Sequence, residues 1–501
     1  GKSLEYLEER HGRHASVTVV DDGEKFGAWP GTFEHVYRDR WLDAFFDRVL
    51  ATPWLRMSTF ADVIDRAPAS GRVYLPAASY REMGEWALPV EAGEALDAAK
   101  HAIGPLEGGD RLLALLRGGF WRGFLVKYPE IGDLYWKMTR LSAALTRAIG
   151  TQPGDPRLTA AREALWRGQA NDAYWHGVFG GCYLPHLRRG VKSALLECER
   201  GLDEAGPPPA ACDLGDRNGD GRPEILVRTP ALAVTLNPAL GGAVTELGYL
   251  PRALDLADVL ARRPETYHAQ IRAHRAEPGN GGARTIHDAP AHKQAGLDAL
   301  LAYDAFRRAS LLDGWFTATA TLDAVEPWAA AQRAFGATPL PHAIDPVKDG
   351  VAVLFDLAPA GGDALTGDKR VLVRGATVEA RYRLERAGAG PLQGRWATQW
   401  NLALTAGDAP DRYLTLPGRP TLGSSGRTGD VSTVTLVDEW AGVEARLAWS
   451  AGAELAWGPV QTVSVSEGGY ERIHQGTALL LAWPVEGDGA ELTVSLTVRS
   501  R

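Results

Sequence analysis

The chain has 501 residues, more than one ordinary hydrophobic core can hold, so about two or three domains are expected. Hydrophobic residues make up 45% and charged residues 23% of the chain, a globular composition that excludes the disordered class. The net charge of −8 comes with no basic block, which excludes nucleic acid as a partner. No apolar run is long enough to span a bilayer, which excludes a membrane-spanning class.

The cysteines indicate the cellular compartment, and the tryptophans indicate the kind of core or binding surface. Cys182, Cys198 and Cys212 form neither a CxxC pair nor an even framework, which suggests a reducing compartment, and we expect a cytoplasmic location. The 16 tryptophans indicate either large cores or sugar-binding surfaces, because flat aromatic faces pack well against the apolar faces of pyranose rings.

The first region, over 1–88, has an α/β pattern. A β-branched run at 15–20, ASVTVV, predicts a buried parallel strand that ends abruptly in DDGEKFG. Two further short runs predict strands at 55–60 and 72–75, and the sequence FEHVYRDRWLDAFFDRVL at 33–50 predicts a helix before them. This order of strand and helix is the βαβ signature.

Two different patterns follow. Long stretches over 89–205 carry apolar residues at helical spacing, which predicts a helical layer that completes a catalytic domain. After the Pro-rich break GPPPAACD, short alternating strands with Gly, Pro and Asp turns predict a large antiparallel β-sandwich over 206–501. The expected fold class is therefore α/β plus all-β.

The segment DDGEKFGAWPG at 21–31 is the strongest local candidate for chemistry. Asp22 and Glu24 follow a predicted parallel strand, and the carboxyl ends of such strands open onto one shared crevice in α/β enzymes. Trp29 could form a stacking wall for a ligand there. The alternative is a polar loop whose acids cap the helix that starts near Thr32.

A second candidate is QANDAYWHGVFGG at 169–181. Asp172, Trp175 and His176 lie within this segment, and together they offer directional hydrogen bonds and an aromatic platform, both of which sugar binding requires. The alternative is structural: Tyr174 and Trp175 pack beneath the Gly-rich turn, and His176 is a hydrogen-bonded core residue.

A third candidate is a cation loop. Asp216, Asn218, Asp220 and Glu224 place oxygen side chains around glycines in a pattern that resembles the first half of a calcium-binding loop, although Val227 stands where that loop has its bidentate acid. The predicted ion is a structural Ca²⁺, and no cofactor is expected for catalysis. A plain Asx-rich turn is the alternative.

These segments resemble glycoside hydrolase family 57, in particular its 4-α-glucanotransferase-like and α-amylase-like members. The stretch DDGEKFGAWPGT at 21–32 is similar to the family segment that carries the general acid/base, and Asp22, Glu24 and Gly27 match its spacing. The stretch QANDAYWHGVFGGCYLPHLR at 169–188 is similar to a distal segment of the catalytic domain, and GRVYLPAASYREMGEWALP at 71–89 also resembles the family. VDEWAGVEARL and VSVSEGGYERIHQG resemble its β-sandwich domain.

The resemblance implies a retaining reaction on an α-1,4-glucan or maltooligosaccharide, either hydrolysis or transfer to a sugar acceptor. Asp22 takes the acid/base role, with Glu24 as its catalytic neighbour. Trp29, Asp172 and Trp175 are expected to line the subsites, and Phe26 and His176 join them as substrate-binding candidates. The implied fold over 1–88 is the C-terminal part of a (β/α)7 barrel.

One departure from the family shapes the functional hypothesis. The family's nucleophile is a Glu on an earlier barrel strand, which this sequence does not show. We therefore expect a fragment that works with an N-terminal fragment or as a homo-oligomer. The alternatives are a non-catalytic carbohydrate-binding or assembly subunit, and a related retaining enzyme for another α-linked sugar.

Overall fold

The computed structural model describes residue 18 and the ranges 21–29, 31–66, 68–69, 71–75, 77–176, 180–206, 211–273, 293–357, 365–388, 390–404, 406–466 and 469–501. The chain divides into two compact units, Gly1–Ala77 with Pro278–Ala289, and Ala78–Glu277 with Pro290–Arg501. The predicted strand at 15–20 lies outside the described residues, apart from Thr18.

The first unit is helical in its described residues. The helix predicted over 33–50 is present in two pieces, a π-helical turn Glu34–Arg38 and the helix α1 Trp41–Leu50. Arg40 lies between them with a left-handed φ of 58°, which breaks the helix. A second helix, α2, spans Phe60–Arg66.

The prediction of strands at 55–60 and 72–75 is wrong, because neither segment forms a strand in the structure. The hydroxyl of Thr59 accepts a hydrogen bond of 3.1 Å from the backbone N–H of Asp62, so this residue begins a helix instead of continuing a strand. Residues 71–75 are exposed and carry no regular structure. A short strand-like run forms a strand only when a neighbouring strand pairs with it, and neither run has such a partner among the described residues.

The second unit begins with helices, as the helical spacing over 89–205 predicted. They are α3 Arg81–Trp86, α4 Val90–Ile103, α5 Gly109–Leu115, α6 Trp121–Lys127, α7 Pro129–Thr151, α8 Pro156–Gly168, α9 Pro185–Ala205 and, later in the chain, α10 His268–Ala273. Proline stands at the first turn of α7, α8 and α9, where its missing N–H costs no hydrogen bond.

Helices α7, α8 and α9 share a core because each carries an apolar stripe. On α7 this stripe includes Ile131, Leu134 and Leu141, spaced three and seven residues apart. The start of α8 is fixed by Asp155, whose side chain accepts a hydrogen bond from the N–H of Arg157. The core formed by these stripes also includes Leu260, from the chain beyond the helices.

The β-rich part confirms the strands predicted after the Pro-rich break. They are β1 Cys212–Gly215, β2 Glu224–Arg228, β3 Leu232–Asn237, β4 Ala243–Tyr249, β5 Leu254–Asp255, β6 Leu312–Thr317, β7 Ala331–Ala334, β8 His342–Val347, β9 Gly350–Asp356, β10 Leu365–Arg374, β11 Thr377–Arg386, β12 Leu392–Leu402, β13 Arg412–Leu414, β14 Gly426–Thr428, β15 Thr433–Asp438, β16 Val443–Trp449, β17 Glu454–Ser466, β18 Gly469–Gly487 and β19 Gly489–Ser500.

These strands form three sheets. Strands β1 to β5 make a five-stranded meander in sequence order. An eight-stranded sheet has the order β13-β15-β16-β19-β11-β10-β9-β8, and a six-stranded sheet has the order β14-β17-β18-β12-β6-β7. Neighbouring strands are antiparallel throughout, for example β12 with β18 and β11 with β19.

The eight-stranded and six-stranded sheets face each other across one apolar core. Tyr382 of β11 donates a hydrogen bond of 2.8 Å to Asp313 of β6, and the ammonium of Lys369 of β10 lies 2.7 Å from the same carboxylate. Around this buried polar contact the core is apolar and includes Trp396 and Trp400. The predicted β-sandwich is therefore confirmed.

Candidate active site

The segment that carries Asp22 is a tight turn on the first unit. Gly23–Phe26 form a 3-10 turn, and Asp22 stands at its N-terminus in an extended conformation. Gly27 ends the turn with a φ of 128°, and a Cβ atom on it would lie 3.0 Å from the ring of Tyr37. The turn therefore requires glycine at this position.

Lys25 connects the acidic residues of the turn. Its ammonium lies 2.6 Å from Asp21 and 3.3 Å from Asp22, and it sits 5.5 Å from the centre of the Trp29 ring. The hydrogen bond from Lys25 holds the pKa of Asp21 below its ordinary value. One cation thus contacts the predicted acid/base and the predicted stacking wall, and sequence analysis missed it although its helical spacing from Asp21 was visible.

The predicted residues of this segment differ in exposure. Asp22 and Glu24 are exposed, whereas Phe26 and Trp29 are half-buried. The Phe26 ring lies 6.3 Å from the Trp41 ring of α1. The alternative, in which the acids of this segment cap the helix near Thr32, is not found: the helical turn Glu34–Arg38 has Phe33 as its N-cap and no side-chain capping hydrogen bond.

The second predicted segment is a turn on the second unit. Asn171–Tyr174 form a 3-10 turn in which Asp172 is exposed, and the buried Tyr174 hydroxyl donates a 2.6 Å hydrogen bond to the carbonyl of Gly168. The half-buried Trp175 stacks on Trp86, with ring centres 5.3 Å apart and an angle of 17° between the planes.

The Gly-rich sequence that follows allows a close backbone contact. The N–H of Cys182 donates a 2.7 Å hydrogen bond to the carbonyl of Trp175. A Cβ atom on Gly181, whose φ is 44°, would lie 2.2 Å from the same carbonyl oxygen. Only glycine leaves room for this contact, so Gly181 helps to fix the backbone that carries Trp175.

His176 is buried in the core. This agrees with the alternative in which it is a hydrogen-bonded core residue. It is 3% exposed, its Nδ1 is 3.3 Å from the carbonyl of Gly180, and its ring lies 4.8 Å from that of Tyr183. Burial lowers the pKa of His176 to about 4, so the imidazole is neutral at neutral pH. Its substrate-binding role stays a prediction.

Beneath this turn lies a buried carboxylate, Glu265, which sequence analysis missed. Its oxygens accept hydrogen bonds from the hydroxyls of Tyr128 and Tyr183 and from the ammonium of Lys127. Burial raises the pKa of Glu265, but Lys127 and the remaining partners lower it further, and the net shift is downward. The carboxylate is therefore ionised and fully partnered.

The structure places the two groups of predicted residues in different units. Asp22, Glu24, Phe26 and Trp29 belong to Gly1–Ala77, whereas Asp172, Trp175 and His176 belong to Ala78–Glu277. Trp86, which stacks on Trp175, lies within the family-like stretch at 71–89 but was not singled out there.

The predicted calcium loop is held together by its own hydrogen bonds. The two oxygens of Asp216 accept the N–H groups of Gly219 and Gly221, at 2.7 and 3.0 Å. Asn218 donates a 3.0 Å bond to Glu224, as an Asx-rich turn would. Among the described residues, no group of three or more His, Cys, Asp or Glu side chains has a metal-binding arrangement. The calcium site stays a prediction.

Within the described part of the chain, no helix is long and apolar enough to cross a membrane.

Comparison with known proteins identifies the family of this chain. The family model described as Alpha-amylase/4-alpha-glucanotransferase, C-terminal, matches residues 216–496, and the model of the middle domain of the same family matches residues 119–202. Alpha-amylase 1 of Dictyoglomus thermophilum is 32% identical over 484 residues, which cover 93% of this chain and 67% of that protein.

Two further relatives extend the comparison. The 4-alpha-glucanotransferase of Thermococcus kodakarensis is 31% identical, with 97% of this chain and 69% of that protein covered. The crystal structure of the 4-alpha-glucanotransferase from Thermococcus litoralis matches with a TM-score of 0.72 and 28% identity, covering 99% of this chain and 70% of that one. The chain belongs to the α-amylase/4-α-glucanotransferase family, that is, to glycoside hydrolase family 57.

Proposed function

We propose that the chain is a retaining α-glucan-acting enzyme of the 4-α-glucanotransferase or α-amylase type, with Asp22 as its general acid/base. Relatives that are named α-amylase and 4-α-glucanotransferase match it over nearly its full length. The observation that carries the assignment of Asp22 is its place at an exposed turn beside Lys25, whose ammonium also lies over the Trp29 ring. The segment resembles the one that carries the acid/base in the family.

The roles of the residues follow from the chemistry of glycoside cleavage. The nucleophilic Glu of the family, expected on an N-terminal fragment, would bond to the anomeric carbon while Asp22 donates its proton to the leaving glycosidic oxygen. The oxygen of the acceptor would then displace that Glu from the anomeric carbon and give its proton to Asp22. The ammonium of Lys25, 3.3 Å away, lies beside the carboxylate that remains after the first proton has gone. Glu24 is the neighbouring carboxylate of the same turn.

The aromatic residues would bind the sugar rings. Trp29 and Trp175 each offer a flat, half-buried face, which suits the apolar face of a glucose unit. The exposed Asp172 would accept hydrogen bonds from hydroxyl groups of the sugar. Phe26, whose ring lies near that of Trp41, and His176, whose ring lies near that of Tyr183, are also proposed as substrate-binding residues.

Substitution of Asp22 by Asn tests the proposal, with Asp21→Asn as the matched control because the two carboxylates are neighbours on the same lysine. Products formed from maltooligosaccharides would be followed by chromatography. We expect Asp22→Asn to lower turnover by about 100-fold to 10,000-fold while maltooligosaccharide binding persists. Asp21→Asn should retain most of the activity.

An Asp22→Asn variant as active as the unsubstituted chain would contradict the assignment. Binding without any turnover, in the unsubstituted chain and in both variants, is expected both of a fragment without its nucleophile and of a non-catalytic carbohydrate-binding or assembly subunit. Turnover that appears when the N-terminal fragment is added would identify the first, and no turnover in its presence would favour the second. Light scattering on the same samples would report whether the chain works as a homo-oligomer.

The finer architecture is also a proposal. We divide the chain into the C-terminal part of a (β/α)7 barrel over 1–88, a helical region over 89–205 and the β-sandwich domain over 206–501. The matches of the middle-domain model to residues 119–202 and of the C-terminal model to residues 216–496 are compatible with a boundary between the helical region and the β-sandwich domain.

A structural calcium ion in the loop of Asp216, Asn218, Asp220 and Glu224 remains part of the proposal. Oxygen atoms that accept backbone hydrogen bonds, as those of Asp216 do, can also coordinate a hard cation. Equilibrium dialysis should find one Ca²⁺ per chain, and Asp220→Ala should abolish it. Equal binding by the variant would leave the loop as an Asx-rich turn.

A further inference from the structure

The stacked pair of Trp86 and Trp175 joins two segments that are distant in sequence. Trp86 is the last residue of α3, and Trp175 follows the turn Asn171–Tyr174. Their rings lie 5.3 Å apart at an angle of 17°. Because Trp86 covers one face of Trp175, it determines where the remaining face of that indole can meet a ligand.

Lys127 holds the segment that carries Trp86. This lysine ends α6, and its side chain is 11% exposed. Its ammonium donates a 3.2 Å hydrogen bond to the backbone carbonyl of Trp86 and a 2.9 Å hydrogen bond to Glu265. The end of α3 is thereby tied to the buried carboxylate.

The same carboxylate holds the segment that carries Trp175. The hydroxyl of Tyr183 donates a 2.8 Å hydrogen bond to Glu265. Tyr183 belongs to the turn Gly181–Tyr183, in which the N–H of Cys182 donates to the carbonyl of Trp175 at 2.7 Å. A single side chain, Glu265, is therefore linked through short hydrogen bonds to the backbone on which each indole stands.

A buried ion pair of this kind is costly. Glu265 is 3% exposed and Lys127 11%, so both groups lose most of their hydration. Apolar side chains of similar volume often stabilise a fold as well as such a pair does, so stability alone does not account for it. The charged pair can instead fix the positions of the two indoles, because each hydrogen bond defines a distance and a direction.

We propose that Lys127 and Glu265 are positioning residues that set the geometry of the Trp86–Trp175 pair, and that Trp86 is a specificity-determining residue of the glucan site. The proposal rests on the proposed function, because Trp175 is assigned there to a glucose-binding subsite. It adds to that function the residues that hold the aromatic platform and the ring that backs it.

The test compares matched double variants. Lys127→Met/Glu265→Gln removes the ion pair without leaving a lone buried charge. Lys369→Met/Asp313→Asn removes a control pair, 0% and 0% exposed and 2.7 Å apart, that lies between the two sheets of the sandwich and does not touch either indole. Two quantities are measured: the exciton couplet of stacked indoles in far-ultraviolet circular dichroism, and the affinity for maltoheptaose by calorimetry.

In the Lys127→Met/Glu265→Gln variant we expect a weakened couplet and an affinity for maltoheptaose lowered by about 10-fold to 100-fold. The control variant should retain the couplet and the affinity for maltoheptaose. Trp86→Phe, at a half-buried position, should lose the couplet and lower the affinity even if the double variant does not fold. An unchanged couplet and affinity in Lys127→Met/Glu265→Gln, or an unchanged affinity in Trp86→Phe, would overturn the proposal.

Measurements on the unsubstituted chain distinguish a failure of this proposal from a failure of the proposed function. If that chain does not bind maltoheptaose, the glucan-acting function is contradicted. The couplet still decides the positioning role in that case, because it reports the geometry of the two indoles without any sugar.

Discussion

The described residues of 18–77 and the β-sandwich differ sharply in how much of their apolar surface is covered. In the first region Val36 and Val49 are the buried residues, while Leu50 is 82% exposed and Tyr74 86% exposed. In the sandwich, whole tryptophans such as Trp396 are inaccessible to solvent. The first region therefore draws little stability from its own described side chains.

The difference bears on function because the predicted acid/base lies in the thinly packed region. Large apolar side chains of this region, among them Leu50 and Tyr74, are exposed to solvent. The turn of Asp22 is ordered locally, by Lys25 and by Gly27, and not by a core. Trp175, by contrast, packs against the core of the helical layer.

The largest difference between residues 18–77 and the β-sandwich should appear in the rates of amide hydrogen exchange. Residues 52–59 and 71–75 are without helix or strand, so their amides should exchange within seconds. Amides in the paired strands β12 and β18 should exchange only on unfolding, slower by orders of magnitude. Mass spectrometry of peptic peptides measures both. Comparable protection in the two regions would show that 18–77 is stabilised by contacts outside its described residues.

The next contrast concerns two tryptophans. Trp396→Ala should lower the free energy of unfolding of the sandwich by about 3–5 kcal/mol, because a fully buried indole leaves a cavity. Trp41→Ala, at a residue 41% exposed, should cost less than about 1 kcal/mol. Urea unfolding followed by near-ultraviolet circular dichroism compares them. Equal losses would contradict the difference in packing.

Much of the fold could be predicted because helical and strand periodicity is local. The stripe of Ile131, Leu134 and Leu141 on α7 is visible in sequence, and so is the alternation in β11 and β16. The strands predicted at 55–60 and 72–75 were wrong because pairing is not local. The sequence of a short run does not reveal whether a partner strand exists, and the cap at Thr59 places the start of a helix at the end of the first run.

The candidate site shows the same limit. The turn of Asp22 and the turn of Trp175 were found because each is a compact motif. Glu265 could not be found, since it lies 138 residues after Lys127 and within no motif of its own. Only the fold brings the lysine, the carboxylate and the two indoles together.

A third contrast concerns ion pairs. Arg188 is 1% exposed, lies 3.0 Å from Asp258 and also donates to Gln475. Arg188→Met leaves Asp258 buried without this partner, so we expect a loss of about 3 kcal/mol or more in unfolding free energy. Lys25→Met, in the exposed pairs of the first unit, should not change unfolding measurably. Thermal unfolding of both variants would show the difference, and a similar shift for each would refute it.

The smallest contrast is the pH dependence of two carboxyl groups. The pKa of Asp21 lies below its ordinary value because of Lys25, so its contribution to stability is present above pH 3.8 and is lost as the pH falls through the lowered pKa. The pKa of Glu224 is raised to about 7, chiefly by burial, with Asp133 and Asp220 adding to the increase against the Arg217 N–H. The contribution of Glu224 to stability therefore changes with pH in the opposite direction to that of Asp21.

For Glu224 the protonated form favours the fold, so its contribution is complete below pH 4.5 and disappears as the pH rises through about 7. Glu224→Gln keeps a neutral side chain at every pH, and it should flatten this part of the stability profile. The difference in melting temperature between the unsubstituted chain and the variant, measured from pH 4.5 to 7, isolates Glu224 from other groups that titrate there, such as Asp203. A constant difference across this range would mean that Glu224 is ionised in the fold, as a calcium-bound carboxylate would be.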